Sequence, residues 1–327
     1  MNELFKHYNL GTYLRHKEID EGVENSNFKV RTTKGWYFVK KYASKFKPGY
    51  IRRVNQVLVE IGRSDLPVAP PFFTKDGDSL VVLDDGVYCV YPFIEGEPYF
   101  LDETFTHDPV KHLNAAKVLA KLHKKVVSLP PRMRNRFSFD KVKEIKSLWG
   151  KFLVEIEKKD MRYGWENKLV DLIYYIRDLF LGMEQEFKKL KGGGGSLLHG
   201  DYHAFQLKFT NKEVAAVLDF DLMEFGPVEY DVTSSSMSFV RDYWSYDLKR
   251  MKEFIDAYME VNGELDLDAE KIILWLMFAT IDTICFYVRL IYEKNTEKNW
   301  EMLYYHMNGL KWIMEHQAEF YDVFQKH

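Results

Sequence analysis

The chain has 327 residues, 46% hydrophobic and 29% charged, which is ordinary for a folded protein and long enough for one large domain or two lobes. Its 46 basic and 49 acidic residues leave a net charge of −3. That balance excludes a general attraction to nucleic acid or to an anionic membrane. Aromatic residues make up 16%, which favours large hydrophobic cores.

The two cysteines, Cys89 and Cys285, show neither metal-ligand spacing nor a disulfide framework. The first residues lack the apolar segment of a signal peptide. The apolar stretch Ile272–Tyr292 contains Asp282 and Arg289, each of which would be costly at the centre of a bilayer. We therefore predict a buried core helix there and a cytoplasmic protein.

The first hundred residues have the pattern of strands. The stretch NFKVRTTKGWYFVKKY alternates around a TKG turn and predicts a hairpin. A helix is predicted near Ile51–Arg63, followed by two strands on either side of the DDG turn in SLVVLDDGVYCVYPF. These elements predict a small lobe, residues 1–95, built mainly of antiparallel sheet.

From about Thr104 the apolar period becomes helical, first in VKHLNAAKVLAKLHKKV. Further helices are predicted in Phe139–Lys159, in Glu166–Leu190 and from Asp231 to the C-terminus. Residues 96–327 are thus expected to form a larger, mainly helical lobe, with a cleft between the two lobes. The glycine run in KGGGGS lacks the spacing and the following helix of a phosphate cradle, so we interpret it as a flexible loop.

The central stretch LLHGDYHAFQLKF predicts a strand, an exposed loop and a second strand, and such loops often hold reactive side chains. Asp201 follows the first strand, and AAVLDFD returns as an apolar strand that delivers Asp219. Because the turn FTNKEV between them is short, both carboxylates are expected to project from neighbouring strand ends. With the amide oxygen of Gln206 they predict a site for a hard cation.

The motifs HGDYHAFQ and VLDFD resemble the catalytic loop and metal-binding strand of the aminoglycoside phosphotransferase and choline kinase-like family, with H-G-D-x-x-x-x-N followed by I-D-F/W-[DE]. That family includes homoserine and fructosamine kinases and is distantly similar to protein kinases. EGVENSNFKV resembles its nucleotide loop, with Gly22 and Asn25 at marked positions, and YFVKKY its phosphate-binding strand, with Lys40. YCVYPFIEGEP resembles its hinge, and GPVEYDVTS the segment whose aspartate, here Asp231, braces the catalytic loop.

The resemblance covers roughly residues 22–235 and implies an α+β, bilobal, protein-kinase-like fold that uses ATP and Mg²⁺. It implies that Asp201 accepts the proton of the acceptor hydroxyl, while Asp219 and Gln206 hold Mg²⁺. It also implies that Lys40 binds the phosphates.

The hinge, represented by Tyr91 and Phe93, is expected to meet adenine through main-chain hydrogen bonds. For the phosphate-binding lysine the sequence offers a second candidate. Lys41 competes with Lys40 because alternation places the two lysines on opposite faces of their strand. His199 is expected to support the loop by packing.

For His203 and Asp221 the sequence allows two interpretations, a supporting role next to the site or a purely structural role. The sequence also departs from the family pattern at three positions. Gln206 replaces asparagine, and Glu21 stands where glycine is frequent. The helix acid that would pair with the lysine is expected around Val54–Gln56, where the sequence has Asn55 and Gln56. Glu60 lies about one turn further along the same helix.

Three functions follow from this pattern. The leading one is transfer of the γ-phosphoryl group of ATP to a hydroxyl of a small molecule such as an aminoglycoside, choline or homoserine. The alternatives are a degenerate kinase fold that binds nucleotide or a partner without turnover, and a Ser/Thr protein kinase. The segment SFVRDYWSYD places aromatic residues beside Asp242 and Asp247, which suits a cationic acceptor or simple core packing.

Overall fold

A computed structural model describes residues 1–19, 25–100, 107–125, 163–190, 195–242 and 245–324, with 150–151, 153–155 and 158. The predicted helix Phe139–Lys159 falls largely outside these residues. The chain divides into two compact units. The first combines Met1–Met133 with His199–Met223, and the second combines Arg134–Leu198 with Glu224–His327.

The first unit contains a five-stranded antiparallel sheet in the order β1-β2-β3-β5-β4. Its strands are β1 (Tyr13–Ile19), β2 (Ser26–Thr32), β3 (Trp36–Tyr42), β4 (Val81–Leu83) and β5 (Gly86–Pro92). Both predicted hairpins are confirmed, because β2 pairs with β3 across the TKG turn and β4 pairs with β5 across the DDG turn.

The two faces of this sheet carry different side chains, as strand alternation requires. One face buries Val30, Val39 and Val90 against the short helix α1 (Asn2–Lys6). The other face carries Lys40. Helix α2 (Pro48–Ile61) begins with proline, which has the backbone angle of a first helical turn.

A smaller hairpin of β7 (Leu207–Thr210) and β8 (Glu213–Val217) also belongs to the first unit. Its two turn residues, Asn211 and Lys212, both have positive φ, as a tight two-residue hairpin loop demands. The predicted helix over VKHLNAAKVLAKLHKKV is confirmed as α3 (Pro109–Lys124).

The pairing around the catalytic stretch differs from the prediction. Strand β6 (Ser196–Leu198), which precedes Asp201, pairs with β9 (Glu224–Gly226) and belongs to another sheet than β8. The prediction that Asp201 and Asp219 extend from neighbouring strands is therefore wrong. Strand β6 pairs with β9, which follows Asp219 in the sequence. The segments of the two acids are joined through His199 instead, as described below.

The second unit is mainly helical, as predicted. Among its helices are α4 (Gly164–Gly182), α5 (Glu184–Phe187), α6 (Val228–Val240), α7 (Leu248–Asn262), α8 (Ala269–Glu293), α9 (Glu297–Glu315) and α10 (Gln317–Val323). The single helix predicted over Glu166–Leu190 is in fact the pair α4 and α5, since the first helix ends at Gly182.

Helix α8 forms the core of this unit and packs against α4, α5, α6, α9 and α10. It is long and apolar enough to cross a membrane, but 78% of its most apolar window is buried inside the protein. The prediction of a buried core helix over Ile272–Tyr292 is confirmed.

Candidate active site

Lys40, rather than Lys41, faces the acids of the site. Its Nζ lies 2.6 Å from Oδ1 of Asp219 and 2.9 Å from Oδ2 of Asp221, and its side chain is 7% exposed. Lys41 pairs with Asp85 at 2.8 Å, with 30% of its side chain exposed. Alternation along β3 separates the two lysines, so Lys40 faces these acids and Lys41 does not.

The backbone turns sharply at Asp219, two residues after β8. Its φ of 59° and ψ of 65° lie in the left-handed region, which costs a residue with a side chain about 1–2 kcal/mol. A 3₁₀ turn over Phe220–Leu222 follows directly. This turn directs two acids, Asp219 and Asp221, to the single ammonium of Lys40.

Two carboxylates share one cation here, and their pKa values separate accordingly. Burial favours the neutral acid, but the Lys40 ammonium outweighs burial at Asp219 and lowers the pKa of that carboxyl. At Asp221 burial dominates, the negative charge of Asp219 adds to it, and the pKa is raised. Burial alone would lower the pKa of Lys40, but both acids together raise it.

His199 connects the Asp201 loop to the strand that leads to Asp219. Its ring is fully buried, and its Nε2 lies 2.9 Å from the main-chain oxygen of Leu218. Because a carbonyl only accepts, Nε2 carries the proton, and Nδ1 accepts the N–H of Asp201 over 3.3 Å. This bridge joins the two acidic segments, and His199 supports the loop by packing, as predicted.

The Asp201 carboxylate is 44% exposed and lies 3.6 Å from Nε2 of His203. The loop reaches it through Gly200, whose φ of 81° suits glycine. Burial alone would raise the pKa of Asp201, but the neighbouring imidazole of His203 lowers it. An exposed, ionised carboxylate of this kind can accept a proton from an incoming hydroxyl.

Gln206 lies between the two acidic segments. Its Nε2 is 3.3 Å from Nε2 of His203 and 3.4 Å from Oδ2 of Asp219. Its main-chain oxygen accepts the N–H of Leu218 over 2.8 Å. A half-turn of the terminal amide would place the oxygen beside Asp219, the orientation that a bound cation requires.

The donors at this site fit Mg²⁺. The carboxylates of Asp219 and Asp221 and the amide of Gln206 supply oxygen ligands, which hard cations prefer. Within the described ranges, no group of three or more His, Cys, Asp or Glu residues could hold a metal by itself. Mg²⁺ suits such a sparse set because it is usually bound through one or two carboxylates, with substrate phosphates and water as further ligands.

Of the two residues predicted in the nucleotide loop, the structure describes only Asn25. Gly22 lies outside the described residues. Asn25 donates from Nδ2 to Oδ2 of Asp221 over 2.6 Å, and its Oδ1 accepts the N–H of Ala43 over 2.9 Å. Asn25 therefore joins the end of β3 to the acid beside Lys40.

The side chains of the two hinge residues contact different parts of the first unit. The hydroxyl of Tyr91 lies 2.9 Å from that of Tyr42 and 3.3 Å from Oδ1 of Asn55. The ring of Phe93 lies 3.9 Å from Nζ of Lys29. Nucleotide binding by Tyr91 and Phe93 stays a prediction.

Sequence reasoning missed the contribution of Tyr50, whose hydroxyl donates to the main-chain oxygen of Asp221 over 2.8 Å. Tyr50 is uncharged and belongs to no motif, so the sequence gives no signal for this contact. Sequence reasoning left Asp221 open, and the structure places it in contact with Lys40. The repeated acid in D-F-D is the signal that pointed to it.

In the aromatic segment SFVRDYWSYD, the contacts of the described residues favour a role in packing over the binding of a cationic acceptor. Tyr246 is buried, with its ring 5.0 Å from Trp312. Asp247 caps α7 by accepting the N–H of Arg250, and Asp242 accepts the N–H of Ser245. The two aromatic residues between them, 243 and 244, lie outside the described residues.

Relatives in sequence include the homoserine kinase of Bartonella tribocorum, which is 22% identical over 272 residues. That match covers 82% of this chain and 78% of the relative. The homoserine kinase of Rhizobium meliloti is 24% identical over 289 residues, covering 88% of this chain and 81% of the relative.

Solved structures show the same fold. A spectinomycin phosphotransferase in complex with ADP and spectinomycin superposes with a TM-score of 0.68 at 18% identity, covering 97% of this chain and 95% of that one. The choline kinase LicA of Streptococcus pneumoniae gives a TM-score of 0.63 at 14% identity, covering 94% of each chain. These likenesses confirm the predicted protein-kinase-like fold.

The family model described as the phosphotransferase enzyme family, APH, matches residues 15–270. That range runs from within β1 to the start of α8 and includes every residue of the site described above. The chain belongs to this phosphotransferase enzyme family.

Proposed function

We propose that this phosphotransferase moves the γ-phosphoryl group of ATP to a hydroxyl of a small molecule, with Mg²⁺ as cofactor. One observation carries the proposal: Lys40, Asp219 and Gln206 converge in one compact unit, with Lys40 Nζ 2.6 Å from Asp219. The ionised Asp201 belongs to the same unit. A cation for phosphates, oxygen ligands for a metal and a carboxylate base are the parts that phosphoryl transfer needs.

Each residue has a distinct role in this mechanism. Lys40 holds phosphate oxygens through its ammonium, and Asp201 accepts the proton of the attacking hydroxyl. Asp219 and Gln206 would hold Mg²⁺, which when bound neutralises charge on the phosphates. His203 keeps Asp201 ionised and orients it from 3.6 Å.

The proposal extends to lobes, acceptor and location. Residues 1–95 would form the nucleotide-binding lobe, with Gly22, Asn25, Tyr91 and Phe93 against the nucleotide, and residues 96–327 the lobe that contains the acceptor pocket. The acceptor belongs to the range of small hydroxyl compounds that the relatives' names indicate, homoserine, choline and aminoglycosides. The near-neutral charge supports an enzyme that binds neither nucleic acid nor an anionic membrane, and the proposed location is the cytoplasm.

The test is ADP formation by the purified protein with Mg·ATP and a panel of acceptors: homoserine, choline, ethanolamine, spectinomycin and a Ser/Thr peptide. We expect turnover with one small molecule and none with the peptide. Asp201→Asn serves as the matched control, because it removes the proposed base and keeps the shape of the loop. Turnover that persists in this variant, or that appears only with the peptide, would overturn the proposal.

A further inference from the structure

The stretch of α2 where the family pattern places an acid to pair with Lys40, Val54–Gln56, has no acid. Asn55 is fully buried, and its Nδ2 lies 3.1 Å from Oγ of Ser79 and 3.4 Å from Sγ of Cys89. Cys89 is the cross-strand neighbour of Lys40. Asn55 thus contacts the cross-strand neighbour of Lys40 and supplies no negative charge.

A buried ammonium needs a charged partner, because removing it from water without one is very costly. Lys40 has two, but they differ in exposure. The Asp219 side chain is 35% exposed, whereas that of Asp221 is 9% exposed. Asp219 is the more accessible acid and the proposed metal ligand, whereas Asp221 is the more deeply buried partner of Lys40.

Asp221 is itself held firmly in place. Its Oδ2 accepts from Asn25 over 2.6 Å, and its main-chain oxygen accepts from Tyr50 over 2.8 Å. Asn25 in turn accepts the N–H of Ala43, just after the strand that carries Lys40. The acid is thus held by Asn25, just before β2, and by Tyr50 in α2, and Asn25 is itself bonded to the residue after β3.

We propose that Asp221 is the positioning residue of Lys40: it supplies the counter-charge that α2 lacks, and Asn25 fixes it against β3. This inference rests on the proposed function, in which Lys40 holds the phosphates. An ammonium has three N–H donors. One of these donors binds Asp221 and keeps the ammonium oriented toward the site. The other two can then bind Asp219 and a phosphate oxygen.

The first test needs no nucleotide. Acetylation of individual lysines by limiting acetic anhydride is followed by peptide mass spectrometry in the wild type and two variants. Asp221→Asn should speed the labelling of Lys40 at least fivefold and leave Lys41 unchanged. Asp85→Asn, the matched control, removes the partner of Lys41 on the other face of the same strand and should speed Lys41 alone. Unchanged labelling of Lys40 in folded Asp221→Asn would overturn the inference.

The second test measures ADP binding in EDTA, where a metal ligand has no part. Asp221→Asn should weaken binding at least fivefold in the wild type and less than twofold in a Lys40→Met background, because the acid acts through the lysine. Equal losses in both backgrounds, or a loss seen only with Mg²⁺, would contradict the inference. Absence of ADP binding by the wild type would count against the proposed function instead, and the labelling test would still decide the inference.

Discussion

His199 joins the loop of Asp201 to Leu218, the residue before Asp219. Its Nε2 donates to the main-chain oxygen of Leu218 over 2.9 Å, while its Nδ1 accepts from the backbone of Asp201. The two acids therefore keep a fixed relationship although they follow strands of different sheets. That fixed geometry allows each acid to be tested separately.

Replacing each acid with asparagine should separate chemistry from binding. Asp201→Asn removes the base that serves the acceptor, so turnover should fall by about 10²–10⁴-fold with ADP and ATP affinity nearly unchanged. Asp219→Asn removes a metal ligand and a partner of Lys40, so Mg·ATP binding should weaken. Steady-state kinetics and calorimetric titration measure both effects. Equal loss of nucleotide affinity in the two variants would contradict the assigned roles.

Gln206 offers a test of the departure from the family pattern. Its longer side chain reaches both His203 and Asp219, whereas Mg²⁺ demands short, near-octahedral bonds. Gln206→Asn should therefore raise turnover and lower the Mg²⁺ concentration needed for half-maximal rate. The measurement is ADP formation across a Mg²⁺ series in both proteins.

The matching stability measurement is a melting curve with and without Mg·ATP. At a ligand concentration about a hundred times Kd, binding to the native state adds about 2.7 kcal/mol, which is readily seen as a higher melting temperature. We expect this stabilisation in the wild type and in Gln206→Asn. Its absence in both proteins would refute nucleotide binding and leave a partner-binding fold.

Much of this site follows from local sequence, and what does not follow depends on distant contacts. Alternation in YFVKKY places Lys40 and Lys41 on opposite faces, but only the turn after β8 shows which face meets the acids. The pairing of β6 with β9 could not be read from the short turn FTNKEV, because that turn closes only the hairpin of β7 and β8. Tyr50 contacts Asp221 across 171 residues of sequence, a relationship that no local pattern encodes.

The pair of His203 and Asp201 should make stability depend on pH. Burial alone would lower the pKa of His203, but the Asp201 carboxylate raises it, and the pKa of Asp201 is lowered in return. A raised histidine pKa stabilises the fold below about pH 6.5, and a lowered aspartate pKa stabilises it above about pH 4. The stabilisation is lost as pH rises through the folded pKa of His203 or falls through that of Asp201.

His203→Asn removes this pair. The difference in melting temperature between wild type and variant should be largest near pH 5.5 and shrink toward pH 8, because the imidazole is then neutral. The pair is partly exposed at 3.6 Å, so its contribution should stay below about 1 kcal/mol. A difference that is constant from pH 5 to pH 8 would show that the imidazole acts only by packing.

The last glycine of the KGGGGS stretch should be required for packing. Gly195 precedes β6, and a Cβ added there would overlap the ring of Phe225 in β9. Gly195→Ala should therefore lower the free energy of unfolding by about 1–3 kcal/mol, the usual cost of overpacking. Gly182→Ala is the matched control, since a Cβ there meets nothing within 4 Å. Urea unfolding followed by tryptophan fluorescence compares the two, and equal stability would indicate that Gly195 is only part of a spacer.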